Sequence, residues 1–181
     1  MRTFYALGID PGKTGAVTVF KYIEDDFYLH AIYDYSYIIE NMYLLRKLEC
    51  EDYESDNSTH IVQATIEQVH AMPKQGVSST FNFGMNFGWW LGVLEMLDIN
   101  VTLVSPQTWQ KLYFGKVKDT KEASLESAKN MFVRQNDVQT DFDNKGWFNR
   151  QKDHGRSDSS LIGWYGIYTR FGRDRQCLFR V

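Results

Sequence analysis

Asp10, Glu67 and Asp158 are the residues of this 181-residue chain whose types and settings point to chemistry. Asp10 lies in Leu7-Gly8-Ile9-Asp10-Pro11-Gly12-Lys13-Thr14-Gly15, directly after the apolar run Thr3-Phe4-Tyr5-Ala6. Phe4, Tyr5, Leu7 and Ile9 suit a buried strand, and Pro11-Gly12 stops and turns it. Asp10 is therefore expected as the last residue of a core strand. A carboxylate there is costly unless something compensates it, and a divalent metal ion is the usual compensation. Two other uses fit the same residues. The Gly-rich turn could cradle a phosphate, or a plain hairpin could use the aspartate to close an Asx-turn.

Glu67 repeats the arrangement. The run Ile61-Val62-Gln63-Ala64-Thr65-Ile66 reads as a second buried strand with a carboxylate at its end. If the two strands are parallel, their ends lie together, where open α/β sheets place their sites. Asp158 differs. It shares a helical stripe with Leu161, Tyr165 and Tyr168, in the first turn, where the helix dipole alone would favour an acid.

The elements that must position these acids follow from periodicity. Val17-Thr18-Val19-Phe20 and residues 27–33 read as two further strands, closing a meander with the first. Ile38, Ile39, Met42, Leu45 and Leu48 recur at helical spacing, followed by a polar loop over 51–59. After a loop at 70–79, Phe83, Phe87, Trp90, Leu91, Leu94 and Leu97 mark a long helix. Its Gly84, Gly88 and Gly92 fall on one face, a site for close backbone approach in the core or across a dimer. Residues 100–104 read as a fifth strand stopped by Ser105-Pro106. Asp119 and Glu122 form a capping box for a helix with Leu125, Ala128 and Phe132 on its apolar face. The polar stretch 135–150 reads as a long loop with Trp147 and Phe148 exposed. Residues 171–181 are a basic tail or an extra strand.

Composition bounds the rest. Hydrophobic residues at 43% and charged residues at 24% describe a soluble globular chain, expected as a single domain over 1–181. No apolar run approaches the roughly 20 residues of a membrane span, and the amino terminus runs straight into a strand rather than a signal peptide. Cys50 and Cys177 make neither a metal spacing nor a disulfide framework, so a reducing cytoplasm is expected. The net charge of −3 speaks mildly against a nucleic-acid partner, but its distribution does not. Residues 24–56 carry ten acids against Arg46 and Lys47, whereas residues 145–181 carry eight basic residues against Asp153, Asp158 and Asp174. A basic end on an acidic chain suits a localised anionic partner, although two solvated faces would look the same.

The element order, with acids closing the first and fourth strands and opening the last helix, resembles the α/β ribonuclease-H-like fold, a mixed five-stranded sheet flanked by helices. Within it, Gly8-Ile9-Asp10-Pro11-Gly12, Ile66-Glu67-Gln68-Val69 and the helix opening at Asp158-Ser159-Ser160-Leu161 resemble the RuvC family of Holliday-junction resolvases. Ser105-Pro106-Gln107-Thr108-Trp109-Gln110-Lys111 and Thr120-Lys121-Glu122-Ala123-Ser124 resemble its phage-borne members. The likeness spans roughly residues 1–170. It implies a homodimeric endonuclease that nicks four-way DNA junctions in symmetric pairs with two Mg²⁺ or Mn²⁺ ions per site, in the cytoplasm of a bacterial host if phage-encoded. Two ions about 3.5–4 Å apart suit phosphodiester hydrolysis, and carboxylates are the hard ligands they take. Asp10, Glu67 and Asp158 are then the acids. His70, Lys74, Lys111, Lys121, Arg150, Lys152 and Arg156 are the residues expected against DNA.

The chain departs from the family twice. His70 stands where an aromatic often stacks on junction bases. The family's fourth ligand usually lies three residues before the last acid, and that place is Gly155. His154 lies about 40° from Asp158 on a helical wheel and Asp153 about 140° away. His154 is thus the better fourth ligand if the helix extends back through Gly155. Three rival functions are a ribonuclease-H-like nuclease for flaps, branched DNA or RNA–DNA hybrids, a junction binder without cleavage, and a nucleotide-binding actin-like kinase fold. The kinase fold needs a second half with its own Gly-rich turn, for which there is no room.

Overall fold

The computed structural model describes residues 3–23, 26–34, 45, 59–68, 70, 76–115, 120–132, 146–148 and 153–171. Strands β1 (Thr3–Ile9), β2 (Ala16–Ile23) and β3 (Asp26–Asp34) form an antiparallel meander. Strands β4 (Thr59–Glu67) and β5 (Val101–Val104) extend it on the other side of β1 in parallel, giving a five-stranded sheet of order β3-β2-β1-β4-β5. Helices α1 (Val77–Met96), α2 (Pro106–Tyr113), α3 (Thr120–Phe132) and α4 (His154–Phe171) complete the described elements. No helix among them is long and apolar enough to cross a membrane.

Alternation along the strands builds two cores. Tyr5, Leu7, Ile9, Val17, Val19, Ala64 and Ile66 face Trp90, Val93 and Leu94 of α1. Ala6, Phe20, Phe27, Leu29 and Val104 face Trp109, Ala128, Phe132, Leu161, Ile162, Trp164 and Ile167 of α2, α3 and α4. Side chains such as Trp90 and Leu94 are fully buried, and each contributes on the order of 1.5–3 kcal/mol by leaving water. Of the helix expected over 38–48, only Leu45 lies among the described residues, and it is helical and fully buried.

Three expectations are corrected. Helix α2 was not anticipated: Ser105-Pro106 reads as a strand stop, but Pro at the first helical position is also a start signal. Phe148 is 2% exposed, with its ring centroid 6.2 Å from that of Phe132, and Trp147 packs beside it. Their polar neighbours hid this burial. The glycines of α1 bring no backbone close within the core, since a Cβ at Gly84, Gly88 or Gly92 would meet nothing within 4 Å.

Close backbone approach occurs instead where α4 crosses the sheet. A Cβ on Gly163 would stand 2.8 Å from Gly8 Cα and 2.6 Å from Phe20 Cε2. A Cβ on Gly8 would run into the Ser159 carbonyl oxygen. Beside this contact Thr18 Oγ1 lies 2.8 Å from Ser159 Oγ and 3.0 Å from Ser160 Oγ, and both serine hydroxyls donate to the Arg156 carbonyl, so none of the three is left unpaired.

Gly163→Ala is expected to destabilise the chain. Alanine gains roughly 1 kcal/mol of helix propensity, but overpacking costs typically about 1–3 kcal/mol, and here the obstacle includes backbone that cannot rotate away. A fall in Tm of about 2–4 °C per kcal/mol is the readout for a chain of this size. A variant melting with the parent would mean that α4 rides higher on the sheet.

Candidate active site

The two strand-borne acids are set by register. In the parallel pair of β1 and β4, Gly8 stands opposite Thr65 and Ile9 opposite Ile66, so Asp10 and Glu67 are the next residues at the same end. Asp10 falls one residue beyond the strand rather than closing it. On both strands the alternation directs these positions toward α4. Ala6 and Gly8 pack on that side, as do Gln63 and Thr65, whose side chains stand where a Cβ of Gly166 would go. Helix α4 brings the third acid. It begins at His154, reaching back through Gly155 as the wheel argument required. A Cβ on Gly155 would collide with the Thr14 carbonyl oxygen and come within 2.9 Å of Gly15 Cα, so the start of α4 rests on the turn after Asp10. Asp158 thereby stands beside that end of the sheet, in the second turn of α4 rather than the expected first, because the helix starts four residues earlier.

Each acid has one oxygen held by a donor from a different element. Asp10 Oδ1 accepts the Gly12 amide at 2.9 Å. Glu67 Oε1 accepts Trp109 Nε1–H at 2.9 Å. Asp158 Oδ1 accepts the Ser124 hydroxyl, whose oxygen also lies 3.1 Å from Ser157 Oγ. The other oxygen of each acid has no hydrogen-bond partner among the described residues. The Asx-turn expected of a plain hairpin is therefore real. It also consumes the Gly12 amide, and the Gly15 amide goes to the Gly12 carbonyl at 3.0 Å, which argues against a phosphate cradle.

The acids feel one another. Burial raises the Asp10 carboxyl to about 6, with the Gly12 amide opposing. Burial, then the Asp10 charge, raises Glu67 to about 7 against the bond from Trp109. Burial, then Asp10, raises Asp158 to about 8. Glu67 adds to this, while the Ser124 bond and the Lys121 charge oppose it. Such mutual repulsion is what clustered carboxylates show without a compensating cation. Among the described residues no three of His, Cys, Asp and Glu stand together closely enough to hold a metal ion. The donor chemistry nevertheless fits one: hard oxygens, three elements, and one hydrogen-bond-free oxygen on each acid.

The other expected residues are scattered. Lys121, in the first turn of α3, is near enough for its charge to favour the Asp158 carboxylate. His154 is half-buried at the start of α4, and its carbonyl accepts Ser157 Oγ–H at 2.9 Å. Asp153, just before the helix, is buried. His70 is exposed shortly after Glu67, and Lys111 is exposed on the last turn of α2. Arg156 makes a two-pronged ion pair with Asp34 of β3, at 2.5 and 2.6 Å. Lys74, Arg150 and Lys152 lie outside the described residues. Sequence reasoning gave no role to Trp109 or Ser124, although both sit in the stretches that carry the phage-type resemblance. The available signal was chemical: a buried tryptophan N–H usually finds an acceptor, although that of Trp90 has none among the described residues.

The sheet order and flanking helices define a ribonuclease-H-like α/β fold. RuvC of Thermus thermophilus is similar over 93% of this chain and 96% of its own, with TM-score 0.51 and 14% identity. The same RuvC in complex with a Holliday junction substrate matches over 95% and 97%, with TM-score 0.51 and 10% identity. The fowlpox virus resolvase in complex with substrate Holliday junction DNA matches over 93% and 99%, with TM-score 0.46 and 12% identity. At these identities the likeness to RuvC establishes the fold alone. No family model and no curated protein matches the sequence.

The raised carboxyl groups give a pH prediction with a definite sign. Between their ordinary values, 3.8 for Asp and 4.5 for Glu, and their raised ones, the folded chain holds more protons than the unfolded chain. The contribution of these acids to stability therefore declines as pH rises from about 4 to about 8. In chelator, Asp158→Asn should melt higher than the parent at pH 8, with a gap that narrows toward pH 4. Melting curves across that range decide it, and an asparagine variant less stable at pH 8 would contradict the assigned repulsion.

Proposed function

We propose that this chain is a divalent-metal-dependent endonuclease that resolves four-way DNA junctions by paired, symmetric nicks. The observation that carries the reading is the convergence of Asp10, Glu67 and Asp158, each raised by burial and each with a hydrogen-bond-free oxygen, on a fold shared with RuvC. In this reading Asp10, Glu67 and Asp158 hold Mg²⁺ or Mn²⁺, with His154 as the fourth ligand. That role for His154 is supported by the start of α4, which puts it one turn before Asp158 on the same helix. Bound there, two such ions would supply the activation of a water and the stabilisation of the leaving oxygen. The chain's own residues orient the acids, and Lys121 brings positive charge to the edge of the site for a phosphate. His70, Lys74, Lys111, Arg150, Lys152 and Arg156 are proposed to contact the DNA backbone or its bases, Arg156 by exchanging Asp34 for phosphate.

The test uses labelled four-way junction, a flap and an RNA–DNA hybrid in Mg²⁺ and in Mn²⁺. Symmetric nicks in the junction, with little cleavage of the other two, are expected. Asp10→Asn, Glu67→Gln and Asp158→Asn should each lose cleavage by roughly 10²–10³-fold, the range seen when one group stabilising developing charge is removed, yet keep junction binding. His154→Ala should fall with them and Asp153→Asn should not. Preferential cleavage of the flap or hybrid would move the function to another ribonuclease-H-like nuclease.

Paired nicks need two sites, and α1 offers a face for a second copy of the chain. Val77, Phe81, Met85 and Met96 are exposed along it, with Gly84, Gly88 and Gly92 open between them. Large apolar groups toward the ends and flat glycines in the middle let two such helices pack closely. The same helix reaches the site: a Cβ on Gly12 would stand 3.4 Å from Phe83 Cε2. Gly88→Leu and Phe81→Glu should therefore give monomers in sedimentation and unpaired nicks in the gel. If both variants remained dimeric, the dimer would use another face.

A further inference from the structure

Trp109 is 1% exposed, and its ring packs against Tyr113 and Phe114 of its own helix and its end. Its one polar atom is spent on Glu67 Oε1 at 2.9 Å. The helix that carries it has a closed first turn and is tied to α4 at its far end. At the start, the Ser105 carbonyl accepts the Thr108 and Trp109 amides at 3.0 and 3.4 Å, and Ser105 Oγ and Thr108 Oγ1 are 2.7 Å apart. At the far end, the Tyr113 hydroxyl donates to the Leu161 carbonyl at 2.8 Å, one turn beyond Asp158 on α4. Helix α3 supplies the matching contact, with the fully buried Ser124 donating to Asp158 Oδ1. The two acids whose side chains could swing most freely, one at a strand end and one on a helix, are thus each held by a donor locked in the protein interior.

We propose that Trp109 and Ser124 are positioning residues for metal binding, each holding one carboxylate oxygen so that the other is presented to the cation. The inference rests on the metal-dependent reading above. It concerns geometry: an acid free to rotate must be ordered when the ion arrives, whereas an acid already held need not be. Partners that orient ligands in this way are typically worth roughly 10–100-fold in metal affinity.

Trp109→Phe removes the N–H and keeps most of the ring, and Ser124→Ala removes one hydroxyl. Mn²⁺ binding to the full-length chain, measured by calorimetry with the metal alone, should weaken by about tenfold or more in each. Cleavage should recover toward the parent rate as Mn²⁺ is raised, because the acids themselves remain. In the parent labelled with ¹⁵N-tryptophan, the indole resonance missing from Trp109→Phe should shift when Mg²⁺ is added. If the parent binds Mn²⁺ and both variants bind it within twofold of the parent, the residues are structural only and the inference falls while the nuclease reading stands. A parent that binds no Mn²⁺ overturns both. Should Trp109→Phe fold poorly, Ser124→Ala with unchanged Mn²⁺ affinity is sufficient to reject the proposal.

Discussion

The contact of Gly8 with Gly163 is the constraint on which the site depends. Two backbones meet there with no side chain between them, 2.6 Å from where a Gly8 Cβ would stand to Gly163 Cα. This fixes the height of α4 above the sheet. The Gly155 contact with the turn at Thr14–Gly15 fixes its start, and Gly166 against Gln63 and Thr65 fixes its crossing over β4. With the helix held at these places, Asp158 has no freedom to slide relative to Asp10 and Glu67. The small residues of α4 act as spacers that set one distance, whereas larger ones would separate the acid on the helix from those on the strands. Thr18, Ser159 and Ser160 seal the contact with all three hydroxyls paired, since a lone buried hydroxyl would cost on the order of 1–3 kcal/mol.

Bringing the acids together has an electrostatic consequence. Burial comes first among the causes at all three, and the charge of Asp10 adds to it at both Glu67 and Asp158. Among the described groups that oppose the rise are the Gly12 amide, the Trp109 indole, the Ser124 hydroxyl and the Lys121 charge. These are three neutral donors and a single cation, which leaves the cluster short of positive charge. Sites where like charges are gathered rather than dispersed mark function more often than scaffold, because a scaffold gains nothing from the repulsion.

What the sequence made legible was whatever alternation and helical spacing control. The strands and the long helix α1 follow from periods of two and 3.6, whereas the parallel pairing that sets Asp10 beside Glu67 and the start of α4 at His154, four residues before the opening expected at Asp158, were conditions that only the structure supplies. What stayed hidden depends on contacts between distant segments. Helix α2 spans only eight residues, so its stripe of Trp109, Leu112 and Tyr113 covers little more than one turn, too short to announce a helix. The burial of Phe148 comes from Phe132, sixteen positions earlier, and nothing in its polar neighbourhood suggests that. The glycines of α1 and α4 look alike in sequence, yet those of α1 are open and those of α4 touch backbone. Spacing cannot tell them apart; only the partner surface does.

Arg156 shows why charge counts were the weakest guide. It belongs to the basic end of the chain, but its guanidinium is committed to Asp34, at the end of β3 that pairs with the start of β2 beside the acid turn. An exposed ion pair of this kind contributes about 0–1 kcal/mol, so it adds little to stability while still occupying the cation. Among the described residues, a phosphate approaching this end of the sheet would meet the acids, Lys121 and a paired arginine. The attraction of a polyanion to such a surface cannot come from net charge, which is −3 for the whole chain. It has to come from charge placed locally and from whatever neutralises Asp10, Glu67 and Asp158, and the same neutralisation would relieve the repulsion that raises all three.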